Sequence, residues 1–122
     1  DLHYPLRRQR QMCIRDSTVI AGEASEKLKE MPVPDCVFIG GSGGNLCKML
    51  DTIYAKNVNC RVVINAITVE TLIEVVEYYK QHEAYALDIV NVFAARAKKL
   101  GAYNLMMSQN PVYIMTALKK GE

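Results

Sequence analysis

Residues 37–45, Val-Phe-Ile-Gly-Gly-Ser-Gly-Gly-Asn, run an apolar stretch into four glycines around a serine, and a helical pattern follows at once. Asp35 to Ile39 reads as a short buried strand, and Leu46 to Lys56 as the helix after it. Glycine accepts positive φ and lets backbone approach a ligand with no Cβ in the way. Strand, glycine turn and helix N-terminus, in that order, make a place for a polar or anionic group. The stretch points to an α/β ligand-binding protein and does not name the ligand.

At 122 residues the chain is one domain or part of one. Half of it is apolar, enough for a packed core. No apolar run approaches the roughly 18–20 residues of a membrane span, so no membrane association is expected. Leu2 to Leu6 is too short for a signal-peptide core, and no Met opens the chain. Cys13, Cys36, Cys47 and Cys60 form no C-x-x-C pair and meet no histidine at a zinc-like spacing. No metal site is expected. With Cys36 in a strand and Cys47 in a helix, the cysteines read as buried free thiols, which places the chain in a reducing compartment, the cytoplasm.

The net charge of +2 is carried by residues 1–17, and the remaining sequence is neutral. A nucleic-acid footprint needs clustered basic excess, so no nucleic-acid partner is expected. Residues 1–17 hold four of the six arginines and show neither strand alternation nor a helical stripe. They read as foreign to the domain, and residues 11–17 resemble translated sequencing-adapter sequence. A domain spanning 18–122 is expected.

From Thr18 the pattern is regular. Thr18 to Ala21 reads as a strand remnant, and Ser25 as the cap of a short helix, Glu26 to Met31, ended by Pro32 and Pro34. Arg61 to Ala66 is a β-branched strand. Thr68 to Gln81 is a helix with Thr68 as N-cap and Leu72, Val75, Val76 and Tyr79 on one face. Ala86 to Phe93 is a third strand, Ala94 to Ala102 a basic connection, and Pro111 to Thr116 a closing strand. Strands alternating with helices indicate a parallel sheet covered by helices.

Several chemistries fail on residue type. A P-loop needs Gly-Lys-Ser/Thr at the helix start, where Asn45 and Leu46 stand. A dinucleotide fingerprint needs an acidic residue closing the next strand, which here ends in Asn65. Ser42 has no histidine aimed at it; His82 closes a helix and, with His3, reads as solvated. Glu23 lies just past a strand end, where a carboxylate can accept from a ribose or an adenine amine, or serve only as a helix-start charge. Asn65 and Thr68 lie at the ligand edge of an open α/β sheet, or form a turn and a cap. Arg96, Lys98 and Lys99 are a solvated face or a clamp for carboxylates.

Taken in order, five segments resemble one enzyme family: residues 21–28, 38–45, 62–71, 97–101 and 109–112. The sequence is similar there to the decarboxylating C15-methyltransferases of cobalamin biosynthesis, the T-type subunit or domain of precorrin C5,15-methyltransferases. The likeness spans roughly Thr18 to Lys119. It implies a Rossmann-like class I methyltransferase sheet, S-adenosyl-L-methionine as methyl donor, and a (cobalt-)precorrin substrate. The implied reaction methylates C15 with loss of CO2 from the C12 acetate. Glu23 and Ala24 then lie near the adenine, and Gly40, Gly41 and Ser42 beside the sulfonium. Gly43, Gly44, Asn45, Asn65, Thr68, Arg96, Lys98 and Lys99 face the substrate. A homo-oligomer and a C5-methyltransferase partner or fused domain are further implications.

The family opens with a strand, a glycine loop of the Asp-x-Gly-x-Gly-x-Gly type and an acidic second-strand end, and none of these is present. In the family's sheet order, 3-2-1-4-5-7-6, Thr18 starts at the third strand. The first two strands are then missing, Thr18 to Ala21 has no neighbour, and Cys36–Ile39 becomes an exposed apolar edge. Two other readings share the pattern: a class I methyltransferase for RNA or protein, and a non-catalytic nucleotide-binding module. The neutral charge and the glycines where an Asn/Asp-Pro-Pro-aromatic motif would stand weigh against the first.

Overall fold

Val62, Ile64 and Ala66 alternate with Arg61, Val63 and Asn65, and a period of two presents the first set to one face. Around that segment the chain folds. The computed structural model describes residues 17–41 and 44–121. Its elements run in the order α1 (Ala24–Lys27), a 3-10 turn (Leu28–Glu30), β1 (Cys36–Ile39), α2 (Leu46–Lys56), β2 (Arg61–Ala66), α3 (Val69–Lys80), β3 (Tyr85–Val92), β4 (Ala95–Leu100), β5 (Tyr103–Ser108) and β6 (Val112–Lys119).

One sheet has the order β1-β2-β6-β3, and β4 pairs with β5 in a separate ribbon. β1 runs parallel to β2 with Ile39 opposite Ile64. β6 lies antiparallel to both β2 and β3. This is the 4-5-7-6 portion of the expected order, but the sheet is mixed rather than parallel. The physical reason is the connection: β3 reaches β6 through the β4–β5 ribbon, and an antiparallel neighbour needs no helical crossover.

The core lies on one face of this sheet. Leu46, Leu50 and Ile53, spaced along one stripe of α2, join Val75 and Tyr79 of α3 over Val62, Ile64, Met115 and Ala117. Burying each large aliphatic side chain contributes about 1.5–3 kcal/mol. Polar ties hold the chain between the 3-10 turn and β1: Lys56 donates to the carbonyls of Lys29 and Met31, and Asn57 donates to that of Pro34 at 2.8 Å.

Several expectations are corrected. Thr18 to Ala21 forms no strand and is exposed. Ser25 lies inside α1, whose N-cap is Glu23, so it caps nothing. Cys36 and Cys47 are exposed, and only Cys60 of the described thiols is buried. β1 is not a buried strand. Among the described residues it pairs only with β2, and Phe38 is 63% exposed. The basic connection at Ala94–Ala102 is instead mostly β4 and its turn, paired with a β5 that the sequence reading left unassigned. Cys13, His3 and the rest of residues 1–16 lie outside the described residues.

Tyrosines close the far end of the core. Tyr54 and Tyr79 share a hydroxyl hydrogen bond of 2.7 Å, and Tyr78 donates to Asp51 Oδ1 at 2.8 Å. His82 is half-buried rather than solvated: its ring stacks on Tyr78 at 4.0 Å and Nδ1 lies 2.6 Å from the Tyr78 carbonyl oxygen. Burial raises the Tyr78 and Tyr79 hydroxyls and pushes Tyr54 up to about 12.

An acid whose folded pKa is raised stabilises the fold below its unfolded value and loses that contribution as pH rises through the folded one. The urea midpoint of the protein is therefore expected to hold to about pH 10 and fall towards pH 12, less steeply for Tyr54→Phe. A flat midpoint across that interval contradicts the buried hydroxyl pair. The open β1 edge makes a second prediction. Phe38→Lys reduces concentration-dependent light scattering by placing a charge on an exposed strand edge, whereas unchanged scattering removes that edge as its source.

Candidate binding site at the strand ends

The parallel register that sets Ile39 beside Ile64 brings the chain leaving β1 next to the end of β2. Gly40 and Gly41 become a shared wall. On one side a groove of 410 Å³ is lined by Glu23, Ala24, Leu28, Phe38 and Asn45 with the two glycines. On the other, a hollow of 310 Å³ is lined by Asn65, Ala66, Thr68, Thr71 and Val112 with the same glycines. Gly44 takes φ +98°, so the turn into α2 requires glycine there. A Cβ on Gly41 would meet no described protein atom within 4 Å, so the space beside it is open. Ser42 and Gly43 lie outside the described residues.

Glu23 supplies the carboxylate of the groove. Its Oε1 accepts from Ser25 Oγ at 3.1 Å and from Asn45 Nδ2 at 3.3 Å. No described protein group is bonded to Oε2, which leaves a free acceptor on a residue that lines the groove with Leu28, Phe38 and Met49. Such a slot suits a flat ring carrying an N–H donor. Across the wall, Asn65 Oδ1 is buried without a hydrogen-bond partner among the described residues. Thr68 is a working cap: its Oγ1 accepts from the Thr71 amide at 3.2 Å and donates to Thr71 Oγ1 at 2.9 Å.

The structure therefore gathers Glu23, Ala24, Gly40, Gly41 and Asn45 in one groove and Asn65 and Thr68 in the adjoining hollow. It does not bring Arg96, Lys98 and Lys99 to either. Arg96 and Lys98 share one face of the ribbon, beside Met107 and Gln109, and Lys99 points to the other face. Sequence reasoning missed Phe38, Leu28 and Met49 as groove lining. The signal was available in the alternation, which puts Phe38 on the face opposite Ile39. No set of described residues could hold a metal ion.

Residues 6–119 match the family described as Precorrin methyltransferase domain. The chain belongs to that family. The match takes in residues 6–17, the stretch whose composition sets it apart. The domain is 31% identical over 107 residues to the probable cobalt-precorrin-6B C(15)-methyltransferase (decarboxylating) of Methanococcus maripaludis, covering 88% of this chain and 57% of that protein. It resembles the crystal structure of precorrin-6y C5,15-methyltransferase from Geobacter metallireducens with a TM-score of 0.79 and 36% identity, over 98% of this chain and 61% of that one. The structure of a precorrin 8W decarboxylase from Methanobacterium thermoautotrophicum is also similar, with a TM-score of 0.72 and 32% identity, over 81% and 53% of the two chains. The chain spans about half the length of the curated relatives it matches.

The cap beside the hollow can be tested alone. Thr68→Ala is expected to cost about 1 kcal/mol in urea unfolding, with Thr68→Ser close to wild type. A neutral Thr68→Ala contradicts the cap.

Proposed function

We propose that this domain is the C-terminal part of a cobalamin-biosynthesis enzyme that methylates C15 of a (cobalt-)precorrin and decarboxylates its C12 acetate. The observation carrying this reading is the coincidence of the family match with a groove in which Glu23 faces Gly40–Gly41. S-adenosyl-L-methionine supplies the methyl group. The residues present fit its nucleoside end. The Glu23 carboxylate accepts from the adenine amine, Phe38 and Leu28 offer apolar surface, and Gly41 leaves room that a side chain would fill. No described residue of the groove offers a cation to the methionine carboxylate, consistent with a glycine loop elsewhere in the longer protein.

Methyl transfer needs alignment of donor and acceptor more than acid–base power. In this reading Gly40 and Gly41 serve that purpose, because they separate the groove from the hollow by backbone alone. Ser42 belongs with them on the cofactor side, and Gly43, Gly44, Asn65 and Thr68 on the substrate side. The orphaned acceptor of Asn65 supports a polar contact from the macrocycle. Arg96, Lys98 and Lys99 are contacts for substrate carboxylates carried on the projecting ribbon.

The ribbon also supports a homo-oligomer in the longer protein. The face that carries Arg96 and Lys98 also carries Leu100, Tyr103, Leu105 and Met107, and Tyr103 is 79% exposed. A two-stranded ribbon is marginal in water unless something covers it. The likeness to a protein titled precorrin-6y C5,15-methyltransferase supports a C5-methyltransferase partner or fused domain. No described helix is long and apolar enough to cross a membrane, and a cytoplasmic location completes the proposal.

Calorimetry tests the division of labour. The 122-residue chain alone is expected to bind S-adenosylmethionine poorly or not at all, and the protein at the length of its relatives to bind it. Glu23→Ala in that longer protein should weaken binding about tenfold, the scale of one hydrogen bond to a charged group. Micromolar binding by a soluble monomer of the short chain would sink the proposal that half the cofactor site lies elsewhere.

A further inference from the structure

Asn45 occupies the N-cap position of α2, a place where Asn ordinarily accepts a hydrogen bond from the second or third amide of the helix. Here its side chain makes no cap hydrogen bond. Its Nδ2 instead donates to Glu23 Oε1 at 3.3 Å, 22 residues earlier in the chain. Ser25 Oγ donates to the same oxygen at 3.1 Å. Two donors thus converge on one carboxylate oxygen, and the other has no partner among the described residues.

From this geometry we infer that Asn45 is a positioning residue for the cofactor side. It gives up the cap of α2 to hold the Glu23 carboxylate in the orientation that receives the nucleoside amine. This inference rests on the proposed function for the identity of the ligand and reassigns Asn45 from the substrate side. The tie also links the two segments that bound the groove, α1 and the start of α2. A free glutamate has three side-chain torsions to order, and holding one oxygen from two directions removes that freedom before the ligand arrives.

The test uses the longer protein and two readouts: calorimetric affinity for S-adenosylhomocysteine, and amide hydrogen exchange at Cys47 and Lys48. Asn45→Ala is expected to lower affinity about tenfold and leave exchange at both amides unchanged, since no cap is lost. In a Glu23→Ala background the same substitution should cost nothing further. Unaltered affinity in Asn45→Ala, equal losses in both backgrounds, or faster exchange at Cys47 and Lys48 would each overturn the inference. The last outcome would make Asn45 an ordinary cap. If the wild-type protein binds no S-adenosylhomocysteine, the proposed function fails, while the exchange arm still decides between tie and cap.

Discussion

The parallel pairing of β1 with β2 is the contact on which the rest of the molecule depends. Setting Ile39 beside Ile64 aligns two strand ends and two helix starts at one edge of the sheet. Shifting β1 by one residue would turn Ile39 out of the core and Phe38 into it. The register is pinned from one side, where Val37 and Ile39 pack with Val62 and Ile64 against α2. It is the same pairing that makes Gly40–Gly41 a wall with a cavity on each side. Site and core are therefore consequences of one alignment.

Energy is distributed unevenly across that alignment. The helix-covered face holds the large buried side chains, while Phe38, Val90 and Val92 stand on exposed positions of the sheet. An apolar sheet face and an unpaired edge of this kind call for a cover. The expected sheet order supplies one, because the family's first strand lies next to its fourth. The groove shares the asymmetry: α1, α2 and β1 form its walls, and none of its described lining residues is a cation.

Much of this was legible in the residues. α2 has the bounds its stripe predicts, Thr68 caps α3 as its hydroxyl and spacing suggest, and β2 alternates as a strand should. The ribbon was hidden because Arg96, Lys98 and Lys99 stand where strand propensity expects β-branched or aromatic residues. Its turn was the available signal. Gly101 at φ +62° begins a two-residue loop between the paired Leu100 and Tyr103, the geometry of a type II′ hairpin. Burial of Cys36 and Cys47 was misjudged because strand and helix assignments do not say which face meets the core. The Glu23–Asn45 bond was unreadable, since its partners lie 22 residues apart and each has a commoner local role.

In the proposed function, the groove between Glu23 and Gly40–Gly41 receives the adenosyl cofactor with its sulfur end at the glycine wall. A crystal structure of the longer protein with S-adenosylhomocysteine tests it most directly. The expected density shows the adenine amine on the free oxygen of Glu23, the sulfur beside Gly40–Gly41, and Asn45 still bonded to the other Glu23 oxygen. A nucleoside bound elsewhere, with Glu23 turned to solvent, would contradict it.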